Sequence, residues 1–295
     1  MDLTSFVQQV FNALQLGSLY ALVALGYSMV YGVLLLINFA HGDIFMFGAF
    51  LGVLGSMVLG LSFIPTLIFS MIFTGLLGVT VERVAYKPLR QASRLSVVIT
   101  ALSVGLVLEN GMLALTGADP RRYPTDFITK EVREFGGVSV NELKIVIIVL
   151  AFAMFLGLYI IVQRTKWGMA MRAISYDRFA VPLMGVSQDQ IVSLTFFLGT
   201  SLAAAGGIMW GAAYTSLSPY MGMRVGWKCF TAAVIGGIGD IRGAMLGGML
   251  LGTLEIFVAA YISSTWREPI SAVILLTILV FRPTGLFGVA RRQKV

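Results

Sequence analysis

Residues 16–50 read "LGSLYALVALGYSMVYGVLLLINFAHGDIFMFGAF". Asp43 is the only residue of this stretch with a full charge at neutral pH, and His41, two positions earlier, is the only histidine in the chain. Asn38, His41, Gly42 and Asp43 make a small polar knot between two apolar runs. Crossing a bilayer takes about 20 mostly apolar residues. The stretch is therefore read as a membrane helix, a polar break, and a second membrane helix.

The rest of the chain agrees with that reading. No charged residue stands between Asp2 and Asp43, none falls in 44–81, and "IVIIVLAFAMFLGLYIIV" (145–162) is another uncharged run. Hydrophobic residues make up 58% of the sequence and charged residues 12%. A soluble domain carries about 25% charge, so this chain could not cover its own surface in water. A basic leader with a small-residue cleavage site does not precede the first apolar run, so no cleaved signal is expected. The lone cysteine, Cys229, excludes an internal disulfide and a cysteine-cluster metal site. The net charge of +7 sits in segments flanking apolar runs. These are Arg83, Lys87, Arg90 and Arg94; Arg164, Lys166, Arg172 and Arg178; and Arg282, Arg291, Arg292 and Lys294. That placement follows the positive-inside rule for cytoplasmic loops and argues against nucleic acid as a partner.

The same rule gives a topology. Segment 82–94 is inside, a span over about 95–115 leads out to a long external loop (116–142), and a span over 143–163 returns to a cytoplasmic segment (164–190). A span over 191–212 goes out again, and the C-terminus is cytoplasmic. Pro65 splits 44–81 into two spans. The run 3–42 is too long for one crossing, since forty helical residues would stretch about 60 Å. It is read as an amphipathic lead-in (3–14) followed by a span over about 16–37. Parity in the last third is met if 227–238 crosses as a short or broken helix before spans at 243–260 and 268–281. The fold class expected is all-α: a polytopic transmembrane bundle of eight or nine segments, at least one short or broken, forming a single domain over 1–295.

A backbone break surrounded by lipid leaves amides unpaired, so it survives only inside protein or beside a water-filled cavity. The knot at 38–43 is either a solvated cytosolic turn or a reversal facing a central pathway. "HGDIFMFGAFLG" (41–52) also echoes "IGDIRGAMLGGMLLG" (238–252), and paired interrupted segments point to transport paths. A single histidine with one carboxylate offers too few ligands for a metal. No Ser-His-Asp set, paired carboxylates or His/Cys cluster assembles into a catalytic site, and no cofactor is implied.

Here a resemblance enters. The stretch 16–50, "FTAAVIGGIGDIRGAMLGGMLLGTLE" (230–255) and "RPTGLFG" (282–288) resemble the permease subunits of branched-chain amino-acid ABC importers. "VERVAYKP" (81–88) and "LMGVSQDQIVSLTFFLGTSLAAAGGI" (183–208) match the same family style, so the similarity covers essentially the whole chain. It implies a bacterial inner-membrane subunit working with a second permease, identical or different, two ATP-binding subunits and an external substrate-binding protein. It also favours the pathway-facing reading of the knot.

The chain has no Gly-Lys dipeptide, hence no phosphate loop of the G-x-x-x-x-G-K-[ST] type. ATP-driven transport would therefore need another polypeptide. In 164–190, Ala170, Ala173, Ile174, Asp177, Ala180 and Val181 fall at helical spacing, with Gly185 as a stop. A short helix with small residues on one face suits a groove on a partner, although four basic residues would also suit an interfacial helix lying on anionic lipid. The resemblance marks this segment as the coupling helix, with Ala173, Asp177, Ala180 and Gly185 at the matching positions.

Intramembrane polar residues usually face a bundle interior or cavity. Asn38, His41, Gly42, Asp43, Glu109 and Glu255 are the candidates for the pathway or its gate, although Glu109 and Glu255 could equally be structural partners of arginine or backbone groups. Asp240 and Arg242 suit lipid headgroups or a subunit interface better than substrate. The expected cargo is a branched-chain or related neutral amino acid, with urea and short amides as the alternative. A stand-alone secondary transporter, or a scaffold without transport, are the readings from other classes.

Overall fold

The computed structural model describes residues 3–124, 132–135 and 138–288. Asp2, the expected tail charges Arg291, Arg292 and Lys294, and part of the expected external loop lie outside the described residues. Eleven helices are described, and eight helical stretches are long and apolar enough to cross a membrane. They are α1 (Leu3–Leu34), α2 (His41–Val53, carried on to Val58 by one π-helical turn), α3 (Phe63–Val81, extended by short turns to Leu89), α4 (Arg94–Thr116), α5 (Glu142–Arg164), α8 (Gln188–Tyr214), α10 (Ile241–Tyr261) and α11 (Arg267–Phe281, preceded by a short turn from Ser264). The others are α6 (Lys166–Tyr176), α7 (Ala180–Leu183) and α9 (Met221–Gly236). Among the described residues, strands are confined to two short antiparallel pairs, β1 (Arg121–Arg122) with β4 (Ser216–Leu217) and β2 (Val132–Phe135) with β3 (Val138–Asn141).

The short segment expected at 227–238 is α9, which starts six residues earlier, at Met221. At 1.5 Å per residue it is about 24 Å long, less than the hydrocarbon thickness. Its start is set by Ser218, whose carbonyl accepts from Met221 N–H at 3.0 Å and whose hydroxyl accepts from Tyr220 N–H at 3.3 Å. It ends at Gly237, where φ of +109° suits only glycine.

The division of the first run into a lead-in and a span is corrected. Residues 3–34 form one unbroken helix, about 48 Å long. The first turns are exposed or half-buried, whereas every residue from Leu16 to Val30 is buried. α1 is thus a central post whose N-terminal turns are its less enclosed part. It stops at Leu34, earlier than the expected 37, because Leu35 takes a positive φ of 56°. α10 lies along it on small residues: Gly252 meets Gly17 and Gly248 meets Ala21, backbone to backbone. These two small-xxx-small pairs let the helix axes approach closely. A Cβ on Gly48 of α2 would stand 2.5 Å from the Ala204 Cα of α8, so that contact is equally tight.

The basic segments gather at one end of the bundle. The end of α1 shares a crevice with Leu89, Arg90 and residues 174–179. Gly239, after α9, lies against Gly32 of α1, and Leu286 and Phe287 bond back to Ile235 and Gly236. An ionic clamp ties this end together. Glu82, 1% exposed, accepts from Arg90 at 2.5 Å and from the Ser193 hydroxyl at 2.9 Å, and Arg90 and Lys87 both reach Asp189.

α2 does not start at that end. A side chain on Gly26 of α1 would collide with the His41 ring. Gly26 lies eight residues before the end of α1, about 12 Å up the helix. The non-helical segment 35–40 therefore climbs back into the bundle, and α2 begins partway through it. From there α2 runs to the opposite end, where Gly52 meets the Tyr123 hydroxyl. Asn38 is 2% exposed and His41 fully buried, so a solvated turn is ruled out. The echo at 238–252 is only partial. Asp240 caps α10, accepting from Gly243 N–H at 2.7 Å, whereas Asp43 lies inside the first turn of α2.

Candidate functional site

The start of α2 borders a cavity of about 230 Å³ between α1, α2, α4 and α9. Of the expected pathway residues, Gly42, Asp43 and Glu109 line it. The Asp43 carboxylate is wedged between helices: a side chain on Gly105 of α4 or Gly222 of α9 would strike its oxygens. Glu109 stands four residues after Gly105, one helical turn along the same face of α4. The rest of the wall is apolar, with Tyr27, Phe39, Leu102, Leu106, Met223, Trp227 and Phe230. Phe39 packs on Phe230 at 5.9 Å and on Trp227 at 6.2 Å between ring centroids.

Asn38 and His41 support this wall without lining it. Tyr86 donates to the Asn38 amide oxygen at 2.7 Å, tethering segment 35–40 to the end of α3. The His41 ring packs against Tyr27, centroids 4.5 Å apart. Buried polar atoms nearly always find a hydrogen-bond partner. Here the Asn38 amide nitrogen and one Asp43 oxygen have none. Such a cluster, at a helix break inside a membrane bundle, marks a place shaped by something other than packing.

Glu255 lies apart from this cavity. It is fully buried and accepts from the Tyr20 hydroxyl at 3.0 Å, Lys228 at 3.1 Å and the Ser271 hydroxyl at 3.0 Å. Lys228 also reaches Glu268 at 2.8 Å. This is an ionic network joining α1, α9, α10 and α11. Arg242, next to the α10 cap, donates to the Tyr159 hydroxyl.

At the basic end, the single short helix expected over 170–181 within segment 164–190 is corrected to two. α6 begins at a Thr165 cap, whose hydroxyl accepts from Gly168 N–H at 3.2 Å, and it stops at Asp177. The Asp177 carboxylate accepts from the Phe179 and Ala180 N–H groups at 2.9 and 3.1 Å, and this local bonding competes with helix continuation. α7 follows, and Gly185 then turns the chain at φ of +79°. Met171, Ile174 and Val181 anchor the segment in the body, whereas Ala173, Asp177, Ala180 and Gly185 are exposed. So are four large apolar side chains: Tyr176 (88%), Phe179 (76%), Leu183 (88%) and Met184 (82%).

Several contributors escaped sequence reading. Gly222 and Gly226 stand at helical i, i+4 spacing in "GMRVG", a pattern for close packing, yet their partner Gly42 is remote in sequence. Exposed Tyr176, Phe179, Leu183 and Met184 are invisible to periodicity, because only the folded segment shows which side of it is free.

Comparisons with known proteins agree with this architecture. The family described as "Branched-chain amino acid transport system / permease component" matches residues 9–281. The chain is 37% identical to the high-affinity branched-chain amino acid transport system permease protein BraD of Pseudomonas aeruginosa, covering 100% of this chain and 99% of that protein. It is 36% identical to the LivH permease protein of the corresponding system in Escherichia coli K12, over 98% of both. Among solved structures, PsaBC from Streptococcus pneumoniae in complex with Fab aligns with a TM-score of 0.52 at 15% identity, covering 94% of this chain and 92% of that one, a likeness of fold alone.

Proposed function

The chain belongs to the branched-chain amino-acid transport permease family, and from that membership we propose that it forms one wall of the pathway in an ATP-driven importer of branched-chain or related neutral amino acids. ATP hydrolysis takes place in two separate subunits, a second permease completes the pathway, and a binding protein delivers cargo from outside. The bundle sits in the bacterial inner membrane with its basic end and C-terminus in the cytoplasm, and the 116–142 loop outside. Segment 164–190 is where the motor grips.

The observation that carries this reading is the exposed cluster of Tyr176, Phe179, Leu183 and Met184 on α6–α7. Large apolar side chains this exposed on a rigidly anchored segment, among basic residues at the cytoplasmic end, fit a protein groove. Ala173, Asp177, Ala180 and Gly185 leave room between them. The segment also touches the end of α1, from which residues 35–40 lead to the cavity, so a push on α6–α7 has a short mechanical route to Gly42 and Asp43. ATP binding need shift the balance between inward- and outward-open states by only a few kcal/mol.

The test is reconstitution in liposomes of this chain with its second permease, both ATPase subunits and the binding protein, with a cysteine at position 183 for crosslinking. ATP-dependent uptake, together with a crosslink from position 183 to the ATPase, supports the reading. Uptake by this chain alone without ATP would overturn it in favour of a stand-alone transporter. Faster uptake of urea or short amides than of amino acids would overturn the cargo assignment.

A further inference from the structure

We infer that Asp43 and Glu109 form a station for the α-ammonium group of the cargo inside the half-depth cavity; this rests on the importer reading above. Asp43 is 9% exposed, and one of its carboxylate oxygens is buried with no hydrogen-bond partner. Its place is close-packed: a Cβ at 105 would stand 2.4 Å from one carboxylate oxygen, and one at 222 would stand 2.4 Å from the other and 2.9 Å from the Asp43 Cα. Glu109 faces the same cavity from one turn further along α4.

Charge makes the case specific. Among the described residues, Glu82 pairs with Arg90, Asp189 with Lys87 and Arg90, and Glu255 with Lys228 and Arg267. No described cation pairs with Asp43 or Glu109. Two carboxylates facing one small cavity repel each other, and a buried carboxylate without a partner is costly. A visiting cation removes both penalties. The remaining wall states which cation. Tyr27, Trp227 and Phe230 put aromatic rings, which attract an ammonium group, in the lining, and Leu102 and Leu106 add apolar surface for a side chain. A bare metal ion of the calcium class would want six or more oxygens, which this wall lacks. A cavity of about 230 Å³ has room for one small solute. A free neutral amino acid carries both features, an ammonium head and an apolar tail. Urea and short amides carry no cation and would leave the carboxylates unmatched, so the station also selects between the two cargo classes.

The complete importer in liposomes, loaded with leucine-bound binding protein, tests this. The quantity read is leucine delivered per ATP hydrolysed, for Asp43→Asn, for Glu109→Gln and for the double variant. Asp43→Asn is expected to lower the ratio at least tenfold and Glu109→Gln severalfold. A ratio within twofold of the unmodified assembly in Glu109→Gln would overturn the proposal. That half-buried side chain belongs to no ionic network among the described residues, so Glu109→Gln decides the matter alone should Asp43→Asn fail to assemble. The unmodified assembly separates the two readings: if it takes up no leucine the importer reading fails, and if it does while the variants match it, only the ammonium station fails.

Discussion

Gly226 of α9 lies against Gly42 of α2 with no space for a side chain on either. A Cβ on Gly226 would stand 2.7 Å from the Gly42 Cα, and one on Gly42 would stand 2.9 Å from the Gly226 Cα. This contact sets how deeply the start of α2 can sit, and so where Asp43 is presented. Overfilling a packed site costs about 1–3 kcal/mol. Gly226→Ala is therefore expected to lower the thermal unfolding midpoint in detergent and to reduce uptake. Gly111→Ala is the control, since nothing lies within 4 Å of a Cβ there. Equal midpoints for the two variants would show that α9 yields freely and that the contact sets nothing.

The α6–α7 surface should behave as a binding hot spot. Leu183→Asp and Phe179→Ala change residues that are 88% and 76% exposed, so the fold should shift by no more than about 0.5 kcal/mol. A central aromatic or aliphatic anchor in a partner groove is worth about 2 kcal/mol or more. Co-purification of the ATPase subunits should drop sharply while thermal stability holds. Gly185→Arg should abolish stimulated ATP hydrolysis and uptake, because it adds a bulky cation and forces a positive φ that costs a non-glycine residue about 1–2 kcal/mol. Retained stimulation in Gly185→Arg would exclude this surface as the grip.

Much of the bundle was legible because lipid makes the pattern simple. Spans must be long, apolar and helical, so the absence of charge from 44–81 and 145–162, with the break signalled by "GLSFIP" (60–65), was enough to place α2, α3 and α5. The breaks were harder. Nothing local to Leu34 announces the end of α1, since the residues through 37 are as apolar as those before them; tertiary packing of 35–40, with Tyr86 holding Asn38, decides it. The polar knot marked the right neighbourhood but could not sort its members. His41 and Asn38 turn into the wall, and Asp43 toward the cavity, because of where Gly26, Gly105 and Gly222 fall on other helices. Glu255 and Glu109 look alike in sequence as single acids in apolar runs. Only the fold gives one of them Lys228, Tyr20 and Ser271, and gives the other no cation among the described residues.

Asp177 should act through its carboxylate geometry. Its two bonds to the Phe179 and Ala180 N–H groups hold the break between α6 and α7. Removing a capping side chain costs about 0.5–2 kcal/mol. Asp177→Ala should speed amide exchange over 178–184, and Asp177→Asn, which keeps an acceptor oxygen, should restore most of the protection. Should both variants exchange like the parent, the break is held by the anchors Ile174 and Val181 instead.

The network around Glu255 yields a double-mutant test with a defined sign. Lys228→Met leaves a fully buried carboxylate with two hydroxyl donors and a guanidinium nitrogen 3.8 Å away. Breaking a buried pair from one side typically costs about 3–5 kcal/mol, because the remaining charge is stranded. Glu255→Gln in the same background removes that charge while keeping an acceptor for Tyr20 and Ser271. The double variant should therefore be more stable than Lys228→Met alone, a favourable coupling of about 1–3 kcal/mol for groups in direct contact. Thermal or denaturant unfolding of the four proteins of the cycle measures it. Additive effects would mean that Lys228 and Glu255 do not depend on each other.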